Sequence, residues 1–135
     1  MRRAEIEQRV HDFFDATDHG VGAVYLFGSV ARDVAGPDSD IDLGVLYRIP
    51  PAATLDAGPL DLEADLERCL QRPVEVVVLN SAPVDLRARV LRTGRLVFDT
   101  DRAVRIRFEV RTRNEAFDFE PILRQYRAPR ESVGD

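Results

Sequence analysis

Apolar residues at Ile6, Val10, Phe13 and Phe14 recur at i, i+4, i+7 and i+8, which predicts an amphipathic helix from Ala4 to Ala16. The sequence "DHG" breaks it. Val21 to Phe27, "VGAVYLF", is β-branched and aromatic without a charge, the pattern of a strand buried on both faces. A Gly-Ser pair, Gly28 and Ser29, ends that strand, and "VARDVAG" has room for one or two helical turns before Gly36 and Pro37. "SDIDLGVLY" then alternates as a second strand with its acids on one face.

Residues 48 to 60 are rich in proline and read as a loop. Leu62, Leu66, Cys69 and Leu70 mark a helix, and Val74 to Asn80 a third strand. Ser81 and Pro83 start another helix with Leu86, Val90 and Leu91 inside, and Gly94 stops it. "RLVFD" is a short fourth strand. Between Val104 and Val110 the apolar residues alternate as in a strand, but the cap-like Asp99, Thr100 and Asp101 and the charge density up to Glu115 favour a helix. The tail carries Phe117, Phe119, Ile122, Leu123 and Tyr126, which either pack back on the core or cover a partner. Helices alternating with strands place the chain in the α/β (α+β) class.

At 135 residues there is material for one core, so residues 1–135 are expected to form a single domain, with 101–135 as a helical C-terminal segment. A hydrophobic fraction of 44% with 32% charged residues is that of a soluble globular chain. No apolar run approaches a membrane span, and no apolar stretch follows the basic N-terminus as in a signal peptide, so a cytoplasmic location is expected. A net charge of -5 argues against holding nucleic acid by bulk attraction. All 19 basic residues are arginine, which excludes lysine chemistry such as a Schiff base. Cys69, the single cysteine, permits no internal disulfide and is expected as a small core residue. His11 and His19 share no metal-ligand spacing and are expected to be solvated.

The chemistry concentrates between Phe27 and Leu46. Two carboxylates two apart on a strand, Asp40 and Asp42, point the same way and repel. Something positive should stand before them, and the sequence here offers only Arg32 within the stretch and Arg48 just past it. Gly28 lets a phosphate come close to the backbone, Ser29 offers a hydroxyl and an N–H, and a helix start presents free N–H groups to anions. The two aspartates are hard oxygen ligands for Mg²⁺, which would relieve their repulsion. Two such ions about 4 Å apart activate an attacking oxygen and stabilise a leaving one. The stretch thus reads as a metal-triphosphate site. Arg32 either reaches the triphosphate or pairs with Asp33 or Asp38.

Gly28-Ser29, ten intervening residues and Asp40-x-Asp42 resemble the signature of the polymerase-β-type nucleotidyltransferase superfamily. "GSVAR" followed by "SDIDL" in a short chain is similar to its minimal branch, the MntA-like antitoxins paired with HEPN-domain ribonuclease toxins. The similarity extends to "RPVEVVVLNSAPVDLRARVLRTGRLVFD". The resemblance implies a mixed sheet flanked by helices, ATP and two Mg²⁺ ions as ligands, and transfer of AMP to a tyrosine of the toxin. By position it puts Gly28 and Ser29 on the β- and γ-phosphates and Asp40 and Asp42 on the metals. The family's third acid, usually an aspartate on the next strand, corresponds here to Glu75, as metal ligand and general base. Val74 and Val76 point the other way, so Glu75 can share a face with the aspartates. Its extra methylene is either absorbed by an offset of the strand or weakens the activity.

Three functions compete on these residues. One is an adenylyltransferase acting on a partner protein; another is an antitoxin that neutralises by covering, with Phe117 to Tyr126 as contact surface. The third, a small-molecule nucleotidyltransferase, normally needs an acceptor domain for which the chain has no room. Either of the first two makes a hetero-oligomer with the toxin, without nucleic acid or membrane.

Overall fold

The computed structural model describes residues 1–36, 39–51 and 60–117. In chain order these form α1 (Arg3–Ala16), β1 (Val21–Phe27), α2 (Gly28–Ala31), β2 (Ile41–Tyr47), α3 (Leu60–Leu70), β3 (Val74–Val78), α4 (Val84–Thr93) and β4 (Arg95–Asp99). A fifth helix, α5, covers residues 102–117. The loop expected over 48 to 60 and the tail beyond Phe117 lie largely outside the described residues.

The four strands form one mixed sheet in the order β3-β2-β1-β4. β1 runs antiparallel to β2 and to β4, while β2 and β3 are parallel and joined through α3. A parallel pair needs such a crossover, and its helix buries one sheet face. On that face Ile6, Val10 and Phe14 of α1 and Leu62, Leu66 and Leu70 of α3 pack on Val24, Leu26, Ile41, Leu43 and Val45. On the other face Val90 of α4 and Phe108 of α5 pack on Ala23, Tyr25, Phe27 and Leu46. Because strand side chains alternate, Asp42 and Glu75, out of phase with Ile41, Leu43, Val74 and Val76, belong to the face of α4 and α5.

Three expectations need correction. Cys69 is exposed, because α3 meets the core only through the row Leu62, Leu66 and Leu70, and Cys69 sits about 100° around from Leu70. The second strand starts at Ile41, where the Ile41 amide donates to the Pro73 carbonyl, so Asp40 stands just outside it. The short helix begins on the Gly-Ser pair itself and stops after Ala31, since Asp33 takes a left-handed conformation (φ 60°) that a helix cannot continue.

The fifth helix agrees with the reading of its caps and charge. It is anchored by polar groups: the buried Arg87 of α4 donates to Thr112 Oγ1 (3.2 Å), to the Ala82 carbonyl (3.0 Å) and to Glu115, and Tyr25 Oη donates to Glu109 (2.6 Å). Thr112 is fully buried, so removing its partner leaves a hydroxyl without compensation. Arg87→Ala is expected to lower the unfolding free energy by about 2–3 kcal/mol in urea titrations. A loss below about 0.5 kcal/mol would mean that α5 is held by other contacts.

Candidate active site

The sheet topology brings the C-terminal end of β1 and the N-terminal ends of β2 and β3 to one edge. Phe27 is the ladder partner of Asp42, and Asp42 is the ladder partner of Glu75. Gly28 therefore follows directly on the residue opposite Asp42, and its φ of 75° turns the chain into α2. A Cβ at Gly28 would lie 2.2 Å from Asp42 Oδ2. Glycine is thus required twice over, by the left-handed backbone and by the carboxylate against it.

Asp42 is half-buried, and its carboxyl is pushed up to about 6 by burial first, then by the charge of Glu75, by hydrogen bonding to Glu75 and by the charge of Asp40. Asp42 and Glu75 face each other as partners across the parallel ladder. The sharing of a face expected for Glu75 is therefore seen in the register itself, while Asp40 joins from just outside the strand. Among the described residues no three acids, histidines or cysteines enclose a single point as a ready-made cage. The donor set still suits Mg²⁺: oxygen ligands only, mutually repelling, on an open edge where substrate phosphates would complete the coordination, as this ion ordinarily requires.

Arg32 is exposed, and its Nε–H reaches back to the Gly28 carbonyl at 3.4 Å, keeping the guanidinium beside the turn. Among the described residues it makes no ion pair with Asp33; Asp38 lies outside them. Arg48 does not serve the carboxylates. It pairs with Asp18 at 2.9 Å beyond the opposite end of β2, roughly 20 Å away by strand length. The positive charge that does reach Asp42 comes from Arg89 of α4, which pulls its carboxyl back down in part. The sequence around Arg89 gives no sign of this, because only the packing of α4 on β1 places it there. His19 stacks on Phe13, with ring centroids 4.9 Å apart, and has no part in the site. A separate open cleft of about 580 Å³ is lined by Arg3, Ile6, Val30, Asp33, Gly36 and Arg72, and none of the three acids lines it.

A mixed sheet with this glycine turn and these acids at one edge defines a nucleotidyltransferase fold. The chain belongs to the polymerase beta, nucleotidyltransferase family, whose sequence profile matches residues 8–103. Among solved structures it is similar to a toxin–antitoxin crystal structure with AMP-PNP (25% identity, 96% of this chain and 98% of that one, TM-score 0.69). It shares its fold with the structure of a tri-AMPylated Shewanella oneidensis HEPN toxin in complex with MNT antitoxin (23% identity, 98% and 99% covered, TM-score 0.64). A third structure, provisionally assigned as a minimal nucleotidyltransferase, is 32% identical over 70% of this chain and 95% of its own, with a TM-score of 0.56. A comparison with curated proteins gave no match. No helix among the described residues is long and apolar enough to cross a membrane.

Proposed function

We propose that this protein is an antitoxin that transfers AMP from ATP to a tyrosine hydroxyl of a HEPN-domain ribonuclease toxin. The observation that carries the proposal is the meeting of Gly28, Asp42 and Glu75 at one sheet edge, with Asp40 beside them. The similarity to toxin–antitoxin structures, one with AMP-PNP and one with a tri-AMPylated toxin, supports the choice of nucleotide and acceptor.

In this reading the acceptor oxygen attacks the α-phosphorus of ATP, a new P–O bond forms, and the bond to the β-phosphate oxygen breaks to release pyrophosphate. Gly28 and Ser29 hold the β- and γ-phosphates through backbone N–H groups and the serine hydroxyl, and Arg32 adds a charge at the turn. Asp40, Asp42 and Glu75 would ligate Mg²⁺, which when bound supplies charge neutralisation and polarises the α-phosphate. Glu75, the ladder partner of Asp42, takes the hydroxyl proton. Alignment and electrostatics provide most of the rate, as in other phosphoryl transfers.

A second contribution, docking on the toxin, is favoured by α5. Ile106, Val110 and Phe117 are 39%, 48% and 74% exposed along that helix, an apolar surface of the kind that contacts partners. Asp40→Asn separates the two contributions. It is expected to reduce AMP transfer by at least about a hundredfold while leaving the complex with the toxin intact in size-exclusion chromatography. If the variant still suppressed the ribonuclease fully, covering alone would account for neutralisation. Glu75→Asp tests the longer acid: a rise in transfer would mark the glutamate as a weakened ligand, and a fall would show that the site is built around its length.

A further inference from the structure

The short helix α2 divides two environments. Its Val30 and Ala31 belong to the apolar cluster of α1 and α3, whereas Asp42 and Glu75 belong to the opposite sheet face. The open cleft of about 580 Å³ lies on the α1 side: Val30 and the start of α1 line it, and none of the three acids does. Arg2, Arg3 and Arg72 share its wall with a single acid, Asp33. Two of these arginines are held in place. Arg3 Nη1 donates to the Ala31 carbonyl (3.3 Å), and Arg72 Nη2 donates to the carbonyls of Ser39 (2.6 Å) and Gly36 (3.4 Å). Both guanidinium groups are thus tied to the segment after the glycine turn through one nitrogen, with N–H donors to spare.

One of those donors sets Arg72 apart. Its Nε–H is the buried side-chain polar group that has no hydrogen-bond partner among the described residues. A buried donor left unmet costs about 1–3 kcal/mol or more, which an acceptor oxygen bound against Arg72 would remove. The start of α1 adds to the same wall, since its N-cap, Arg2, gives no side-chain hydrogen bond to the first-turn N–H groups, and such groups favour an anion. Three guanidinium groups against one carboxylate suit a ligand with more than one negative charge. A phosphate monoester brings about 1.5 to 2 charges and three acceptor oxygens, and a guanidinium fork takes two of these at once. Val30 and Ala35 give the cleft an apolar side, and its volume is that of a small-molecule site rather than of an inorganic ion. We propose that this cleft binds a small phosphate monoester, with the phosphate on Arg3 and Arg72 and the organic part toward Val30 and Ala35. It is a second site, separate from the acid edge and independent of the nucleotidyltransferase reading.

Calorimetric titration of the whole protein with AMP in the presence of EDTA, which keeps divalent ions from the acids, tests it, with adenosine as the same probe without its phosphate. AMP is expected to bind and adenosine not. Arg72→Gln and Arg3→Gln should each raise the Kd of AMP about tenfold or more, the value of one charge-assisted contact, and Arg72→Lys should restore part of it. Arg72 also holds the carbonyls of Gly36 and Ser39, so if its variants fail to fold, Arg2→Glu at an exposed position decides, with a Kd raised about threefold or more. Asp42→Asn should leave the Kd of AMP unchanged. An AMP Kd unmoved by the arginine substitutions, or no binding of AMP to the wild type, would overturn the proposal. So would a Kd that changed instead with Gly28→Ala, which would put the phosphate at the glycine turn.

Discussion

Asp42→Asn will make the ligand-free protein harder to unfold while it removes the transferase activity. The two effects have one cause. In the wild type Asp42 is forced against Glu75 and Asp40 in a half-buried position, and its carboxyl is held at about 6 instead of 3.8. The folded state therefore binds this proton more tightly than the unfolded chain does. Its contribution to stability is intact below about 3.8, is lost as pH rises toward about 6, and stays lost above that. At pH 7.5 the wild type carries the full repulsion, and the asparagine, similar in shape and uncharged, carries none. The melting temperature of the ligand-free variant should exceed the wild type's by about a few degrees at pH 7.5, and the difference should shrink by pH 4. Transfer should fall by about a hundredfold to a thousandfold or more, as for loss of one preorganised electrostatic group. A variant that was destabilised at pH 7.5 would show that the Asp42 charge is compensated in the free protein. Stability given up in this way would be recovered on ligand binding at the proposed metal-nucleotide site.

Gly28→Ala is the second large effect, and it works through geometry alone. The methyl group would meet Asp42 Oδ2 at 2.2 Å, and a side chain at a φ of 75° is itself strained. The left-handed conformation costs about 1–2 kcal/mol, and the clash must be relieved by moving either the turn or the carboxylate. A displacement of about 1 Å in a catalytic group costs roughly a hundredfold in rate, so transfer should fall by at least that factor even in folded protein. Combining Gly28→Ala with Asp42→Gly checks the assignment. The clash disappears, and the stability penalty of the alanine should shrink to the backbone strain alone in urea titrations. An undiminished penalty in the Asp42→Gly background would mean that the carboxylate is not what excludes a side chain at residue 28.

Much of this site was legible because its parts are local. β1 was readable to the residue, since seven uncharged positions end on a glycine, and the period of two put Glu75 on the face of the aspartates before any register was known. What local pattern could not give is tertiary. Val104, Ile106, Phe108 and Val110 alternate like a strand, yet in α5 Ile106 and Val110 face outward, and the buried stripe runs through Phe108 and the polar Thr112. A helix that buries a threonine and exposes an isoleucine hides its own period. Arg87 and Arg89 stand two apart in "DLRARV"; one is buried against Thr112 and the other is exposed, and nothing in their neighbours separates them. Cys69 shows the same limit, one residue off the row that meets the core.

Intact-mass spectrometry of a HEPN-domain toxin, after incubation with the protein, ATP and Mg²⁺, tests whether AMP is transferred to it. A mass increase in whole AMP units, dependent on ATP and absent with Asp42→Asn, is the expected result. An unchanged mass in a partner that nevertheless forms a stable complex and loses its ribonuclease activity would contradict it, and would leave a protein that neutralises by binding alone.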